Sequence, residues 1–275
     1  MPLLAQRLRQ RLLHAFASLP VTYTTHHGPA RGLRRRGGLG WMPAFVPRHT
    51  VFEVEERWLD TLDLEGQVVW DIGGDQGIMS LCFARKVGPA GRVLVIEPNP
   101  GSVRTIRSNL AVNHFTHCEV LHAACGEAEG EVVLSVPRYA PAWGTADPTL
   151  RNESLGPCDE FVVRTVTVDA LVERGERPPD FIKIDTEGFE TSVLKGAART
   201  IATVRPRLYL ENHGADDAQK VANARAIVEL LAPHGYSMTH LESGTMLTPD
   251  TAEAAARGHV VADPMGPRST AGAPH

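Results

Sequence analysis

Val68-Val69-Trp70-Asp71-Ile72-Gly73-Gly74-Asp75-Gln76-Gly77 is the stretch on which the reading of the fold turns. Its first half is a short apolar run that reads as a buried strand. Its second half is a glycine turn, and glycines let the backbone bend sharply and let a ligand approach the main chain closely. A helix is expected over 77–86, with Met79, Leu81, Phe83 and Ala84 as an apolar face too irregular to stand without its neighbours.

Working outward, the next strand, Arg92-Val93-Leu94-Val95-Ile96-Glu97, ends in a carboxylate that lies beside the glycine turn if the two strands are parallel neighbours. A carboxylate there can accept both hydroxyls of a ribose, so the pair reads as a nucleoside site. A nicotinamide fingerprint wants glycines at 73, 75 and 78, but the last two positions hold Asp75 and Ile78. Their side chains block the approach of a pyrophosphate, and Asp75 repels it. S-adenosylmethionine (SAM) carries a positive sulfonium and no phosphate, and the acidic set Asp71, Asp75 and Glu97 suits it.

Short β-rich runs alternate with helical stretches from Leu62 to about Leu247, the pattern of a parallel sheet covered on both faces. Strands are expected at 68–72, 92–97, 118–123, 181–185 and 207–211, and helices at 77–86, 101–112, 189–202 and 216–231. Two further strand-like runs, 131–136 and 161–168, flank a proline-rich connection, 137–158, whose length points to a lid or binding loop. Tyr139, Trp143, Thr145 and Asn152 in that lid suit stacking on, and hydrogen bonding to, a ring or sugar. The runs 236–241 and 244–247 read as an antiparallel hairpin turning at Glu242 and Ser243. Three regions follow: an N-terminal segment, 1–60, packing on the core or on a second subunit; a main domain, 61–248; and a tail, 249–275, rich in Ala, Gly and Pro and expected to be disordered.

A chain of 275 residues with 43% hydrophobic content can bury a substantial core. Its formal net charge of -4 gives no basic field for nucleic acid. Arg31, Arg34, Arg35 and Arg36 form a local basic run, read as a solvated loop or, alternatively, a contact for an anionic partner. The four cysteines, Cys82, Cys118, Cys125 and Cys158, match neither a zinc knuckle nor a disulfide framework, which fits a reducing, cytoplasmic compartment. The first 19 residues read as an amphipathic helix interrupted by arginines rather than a signal peptide, which fits packing on the domain or a homodimer, and no apolar run approaches a membrane span.

A second acidic cluster closes the strand Phe181-Ile182-Lys183-Ile184-Asp185-Thr186-Glu187-Gly188. Ligands gather at the carboxyl ends of parallel strands, so Asp185 and Glu187 are expected to face the crevice of Gly73. Strand alternation puts Lys183 on the side of Asp185, where it either neutralises the aspartate or leaves it free to orient the cofactor or handle a proton. Glu211 and His213, at the end of the next strand, project into the same crevice, and the imidazole has the intrinsic pKa of a base at neutral pH. Asp185, Glu187, Glu211 and His213 are therefore the candidate catalytic groups. The same four can alternatively hold Mg²⁺ or Mn²⁺, a question the spacing leaves open.

Asp71-Ile72-Gly73-x-x-x-Gly77, Glu97-Pro98-Asn99 and, above all, Ile182-Lys183-Ile184-Asp185-Thr186-Glu187-Gly188-Phe189-Glu190 followed by Val193-Leu194-Lys195-Gly196-Ala197 resemble the FkbM-type family of SAM-dependent methyltransferases. The resemblance runs from about Val68 to Leu241. It implies a class I methyltransferase fold, a doubly wound α/β seven-stranded sheet with its last strand antiparallel, and O-methylation of small natural products or sugars. Carried over by position, Asp71, Gly73 and Gly77 line the methionine and ribose part of SAM, Glu97 holds the ribose hydroxyls with Pro98 and Asn99 beside it, and Asp185 lies near the transferring methyl. Gly74, Asp75 and Gln76 depart from the family's usual alanine, asparagine and variable residue, which leaves the contacts of Asp75 and Gln76 open. Two competing readings are a nicotinamide-dependent oxidoreductase and a nucleoside-binding module without turnover.

Overall fold

The computed structural model of the protein describes residues 19, 21–37, 53–138, 141–150 and 156–266. The expected helix over the first 19 residues, apart from Leu19, and the lid residues Tyr139 and Asn152 lie outside them. A two-stranded ribbon comes first, β1 (Thr22–Thr24) against β2 (Arg34–Arg36), followed by helix α1 (Glu53–Thr61). The main sheet then begins with β3 (Val68–Ile72), α2 (Ile78–Val87), β4 (Arg92–Glu97), α3 (Pro100–Val112) and β5 (Cys118–His122). A smaller sheet interrupts it, made of β6 (Ala124–Cys125), β7 (Gly130–Pro137) and β8 (Cys158–Val166). The main sheet resumes through α4 (Val168–Glu173), β9 (Phe181–Ile184), α5 (Glu190–Lys195), α6 (Ala198–Thr203), β10 (Arg207–Glu211), α7 (Asp217–Leu231), β11 (Tyr236–His240) and β12 (His259–Pro264).

The seven strands of the main sheet lie in the order β11-β12-β10-β9-β3-β4-β5. The pairs β3–β4, β4–β5, β3–β9 and β9–β10 are parallel, and β12 is antiparallel to both β10 and β11. This is the doubly wound, class I methyltransferase arrangement. The chain winds outward from β3 to β5 on one side and from β9 onward on the other, so the switch point, where ligands bind in such sheets, falls between β3 and β9.

The alternation of side chains sorts the core onto two faces. Val68, Trp70 and Ile72 join Leu94, Ile96, Ile182, Ile184, Leu208 and Leu210 in one cluster, whereas Val69, Val93, Val95, Phe181 and Tyr209 belong to the other, with Leu59, Phe83 and Ile106 from the covering helices. Every residue of β3 is buried, the apolar Val68, Val69, Trp70 and Ile72 together with Asp71. Each buried aliphatic or aromatic side chain of this kind contributes on the order of 1.5–3 kcal/mol. Helix starts follow local capping chemistry: the side chains of Asn99, Thr167 and Asp216 accept from the backbone N–H of Gly101, Ala170 and Gln219.

Three expectations need correction. The tail is ordered through Gly266: Ala252 and Ala255 are fully buried beside α7, and β12 fills the slot between β10 and β11. The Ala- and Gly-rich composition hides this strand because His259–Pro264 is too short to show a period and takes its hydrogen bonds from distant partners; residues 267–275 lie outside the described ones. The hairpin expected to turn at Glu242 and Ser243 is present, with His240 N–H bonded to Thr245 O and Leu247 N–H to Met238 O, both at 2.8 Å, and β12 pairs with β11 besides. The helix expected over 189–202 is two, because the Asp169 carboxylate caps a second start by accepting from Arg199 and Thr200 N–H. Finally, Arg34–Arg36 of the arginine run form a strand pinned on α3 rather than a loop, with Arg34 and Arg36 N–H donating to Asn113 and Asn109 Oδ1, while Arg31 lies in an exposed turn. α1 packs on the core, Trp58 stacking on Tyr209 with ring centroids 4.7 Å apart. Among the described residues no helix is long and apolar enough to cross a membrane.

Candidate active site

At the switch point the turns after β3 and β9 come together. Gly73 has φ 83°, and a Cβ there would sit 1.7 Å from the Asp185 carbonyl oxygen, so only glycine fits. Lys183, buried on β9, donates to the Gly73 carbonyl at 2.7 Å and to Asp185 Oδ2 at 3.1 Å, and lies 3.5 Å from Asp71 Oδ1. Burial pulls its pKa down, but Asp185 and Asp71 outweigh burial and hold the ammonium above the usual lysine value. Burial likewise works to raise the Asp185 carboxyl, and there Lys183 and His213 prevail and hold it below its ordinary value. Asp71 is fully buried and its carboxyl is raised by that burial; it accepts from the Ser80 hydroxyl. Asp71 therefore braces the turn from behind rather than lining the cofactor space.

An open cavity of about 180 Å³ lies in front of these turns. Gly73, Asp75, Glu97, Pro98, Asn99 and Ser102 line it from the turns after β3 and β4, and Asp185, Thr186, Glu187 and Phe189 from the turn after β9. Ile72, Ile96, Ala124, Cys125, Leu134 and the lid residues Ala142, Gly144 and Ala146 complete the lining. Four carboxylates and, among the described residues, no Lys, Arg or His line it. Glu97 accepts from Asp75 N–H at 2.9 Å and from Asn99 N–H at 2.7 Å; burial nevertheless pushes its carboxyl up to about 8. Asp75, at φ 43°, is also raised by burial. Gln76 and Gly77 do not line the cavity: the Gln76 side chain accepts from Arg35 at 3.2 Å, and Gly77, at φ 79°, caps α2 against Ile106.

His213 stands off the cavity wall, beside Asp185 and Glu187. Its Nδ1 lies 3.1 Å from Glu190 Oε1, and its Nε2 faces Glu187 Oε2 at 3.6 Å, Glu211 Oε1 at 3.8 Å and Asp185 Oδ1 at 3.9 Å. Burial works against the charged imidazole, but Glu190 and then Glu187 and Asp185 overcome it and raise its pKa to about 9. Burial pushes Glu187 to about 7 and also raises Glu211. The structure thus gathers all four candidate catalytic residues, of which Asp185 and Glu187 line the cavity. Asp185, Glu211 and His213 each offer one ligand atom within 4.8 Å of the others, a set able to hold a divalent cation; Lys183 and charged His213 already neutralise the cluster without one.

Two organising residues escaped the sequence reading. Glu190 is buried in α5, and its Oε1 accepts from Thr186 N–H and Gly188 N–H at 3.1 Å and from the Thr186 hydroxyl at 3.2 Å, besides facing His213. It stood inside the quoted motif, but nothing local marks a glutamate as buried. His259, on the strand missed in the tail, holds Glu242 Oε1 at 2.6 Å and faces Glu211 Oε2 at 3.8 Å. In the lid, Trp143 is 60% exposed and off the cavity wall, and Thr145 is buried with its hydroxyl donating to the Glu187 carbonyl at 3.0 Å. Thr145 is accordingly a structural contact rather than part of the cavity surface. Glu187, at φ 51°, occupies the left-handed region, a strain of about 1–3 kcal/mol that its surroundings must hold.

The model of the methyltransferase FkbM domain matches residues 71–238. The chain belongs to this family. The FkbM protein described here is thus a SAM-dependent methyltransferase. It is similar to the hexuronic acid methyltransferase AglP of Haloferax volcanii, with 27% identity over 192 residues, 64% of this chain and 74% of that protein. It is also similar to the ribosomal protein L11 methyltransferase of Edwardsiella ictaluri, with 31% identity over 105 residues, 38% of this chain and 31% of that one. Among solved structures, a methyltransferase FkbM from Methylobacillus flagellatus KT has 21% identity and a TM-score of 0.47, covering 74% of this chain and 45% of that chain.

The cavity fits the cofactor. Glu97 and Asn99 would hold the nucleoside and Asp75 and Gly73 the neighbouring portion, and a wall of acidic side chains without a cation suits a sulfonium and offers a pyrophosphate no counter-charge. The nicotinamide reading fails on the same chemistry.

Proposed function

We propose that this FkbM methyltransferase transfers a methyl group to a hydroxyl of a neutral, polyhydroxylated small molecule, a sugar or sugar-bearing natural product, with Glu187 taking the hydroxyl proton. One observation carries this reading: the cavity is lined by four carboxylates and by no cation among the described residues. Carboxyl groups hydrogen-bond several hydroxyls at once, while an anionic acceptor finds no counter-charge on the wall. AglP bears the name of a hexuronic acid methyltransferase; the acidic wall here favours the uncharged counterpart of such a sugar.

SAM supplies an already activated methyl, so the protein's task is alignment, which can contribute roughly 7–11 kcal/mol in favourable intramolecular models. Proton removal adds about 10² to 10⁴ in rate. Asp185 is held by the Lys183 ammonium at 3.1 Å and is a weak base. His213 is charged at neutral pH and already donates toward carboxylates. Glu187 lines the cavity, has no lysine or arginine partner among the described residues, and carries a carboxyl near 7 that suits a base.

The test is incubation of the purified protein with methyl-labelled SAM and three matched acceptors: a neutral hexoside, the corresponding uronoside and the corresponding amino sugar, analysed by mass spectrometry. Label on the neutral hexoside in preference to the uronoside is expected. Preferential labelling of the uronoside, or of a nitrogen on the amino sugar, refutes the reading.

A further inference from the structure

The segment that roofs the cavity also grips the turn that carries Glu187. Thr145 exchanges both backbone hydrogen bonds with Ser135 on β7, at 2.9 and 3.0 Å, so the lid is anchored on a strand at this residue. Its neighbours Gly144 and Ala146 face the cavity, and Thr145, pointing the other way, is 5% exposed. Its hydroxyl accepts from Asp147 N–H at 3.1 Å and donates to the Glu187 carbonyl at 3.0 Å, which uses it in both senses. Five residues on, Leu150 covers Gly188 so closely that a Cβ on that glycine would lie 2.1 Å from Leu150 Cδ1. From beneath, Glu190 Oε1 collects the N–H groups of Thr186 and Gly188. The left-handed Glu187 is thus clamped between a buried carboxylate and the lid.

We infer that Thr145 is a positioning residue, through which docking of the lid sets the Glu187 carboxylate against the acceptor. Roofing the cavity and placing Glu187 are then one event, because the same hydrogen bond belongs to both. The consequence for the reaction rests on the reading of Glu187 as the base; the coupling between lid and turn does not.

The test is therefore arranged in two parts. Backbone hydrogen exchange is followed on the wild-type chain, Thr145→Val and Thr145→Ser, all saturated with S-adenosylhomocysteine, which requires no acceptor. Loss of one hydrogen bond should speed exchange of Thr186 and Gly188 amides roughly three- to tenfold in Thr145→Val, together with the lid amides, while Thr145→Ser, which keeps the hydroxyl, stays near wild type. Leu150→Ala, which loosens the same contact from the other side, should speed the Gly188 amide as well and serves if the valine variant does not fold. Faster exchange confined to the lid, or Thr145→Ser behaving as Thr145→Val, overturns the inference. With the neutral hexoside as acceptor, Thr145→Val should lower kcat about tenfold with little change in the KM for SAM, and should add nothing further to Glu187→Gln. Full turnover by Glu187→Gln alone would sink the base assignment and leave the exchange result standing, so the two failures are told apart.

Discussion

Glu97 and Glu187 are both glutamates whose carboxyls burial has pushed up, to about 8 and about 7, yet they are held in opposite ways. Glu97 ends β4 and accepts two main-chain N–H groups, from Asn99 two residues away and from Asp75 on the neighbouring turn. No hydrogen bond to the Glu187 side chain exists among the described residues; it faces charged His213 at 3.6 Å, and its backbone is fixed by Thr145 from the lid. The cofactor end is therefore built into the sheet, and the acceptor end is assembled from segments that must first be brought together. Fixed backbone donors suit a ligand that never changes, whereas side chains and a lid suit an acceptor that differs between relatives.

Lys183 is the seam between the two ends, and its loss is expected to have the largest effect. Replacement by the apolar Lys183→Met strands Asp71 and Asp185 without this ammonium and frees the Gly73 carbonyl, which should cost about 3–5 kcal/mol in urea unfolding and abolish SAM binding. A loss below about 1 kcal/mol would mean that the two turns stand independently and that the seam is only apparent.

Next in size is the contrast between the two glutamates themselves. Glu187→Gln should lower kcat by about 10² to 10⁴ and leave SAM affinity nearly unchanged, while Glu97→Gln should weaken SAM binding and spare the rate at saturating cofactor. Calorimetry with SAM and initial rates with the neutral hexoside separate the two. If both variants fall in affinity and rate together, the division of labour between the ends is wrong.

A smaller effect, of about tenfold, is expected from pH at the cofactor end. Ribose hydroxyls donate to the ionised form of Glu97, so binding favours loss of its proton, and a carboxyl near 8 makes SAM affinity rise from about pH 7 to about pH 9 and level off above. The same group, raised above its unfolded value of 4.5, makes the unliganded fold less stable as pH climbs from that value toward 8. Glu97→Gln should remove this component of the pH dependence, leaving whatever SAM's own amino group contributes. A wild-type profile that the glutamine variant reproduces would show that Glu97 does not meet the ribose.

How far the sequence could be read follows the same division. The β3 run, its glycine turn and Glu97 are contiguous or one strand apart, so their chemistry was legible from spacing, as was the placement of Asp185, Glu187, Glu211 and His213 at strand ends. Gln76 was misassigned because Arg35, 41 residues away, claims its side chain. Thr145 read as a sugar contact because a threonine in a long loop gives no hint that its hydroxyl will be bound 42 residues away. β12 was lost for a related reason: a six-residue strand in an alanine-rich stretch is stabilised by the slot between β10 and β11, which no local pattern announces.

The smallest expected effect concerns Trp143, which sits on the lid between two cavity-lining residues, Ala142 and Gly144, but is itself 60% exposed. An indole so exposed contributes little to the fold, and Trp143→Ala should change unfolding free energy by no more than about 0.5 kcal/mol. SAM affinity should also stay put, since Glu97 is held by backbone N–H groups that do not involve the indole. Because the ring stands off the cavity wall, the acceptor KM should change by less than about twofold, with kcat retained. A changed SAM affinity would instead make the lid part of the cofactor end, and the contrast between a built-in end and an assembled one would have to be redrawn around it.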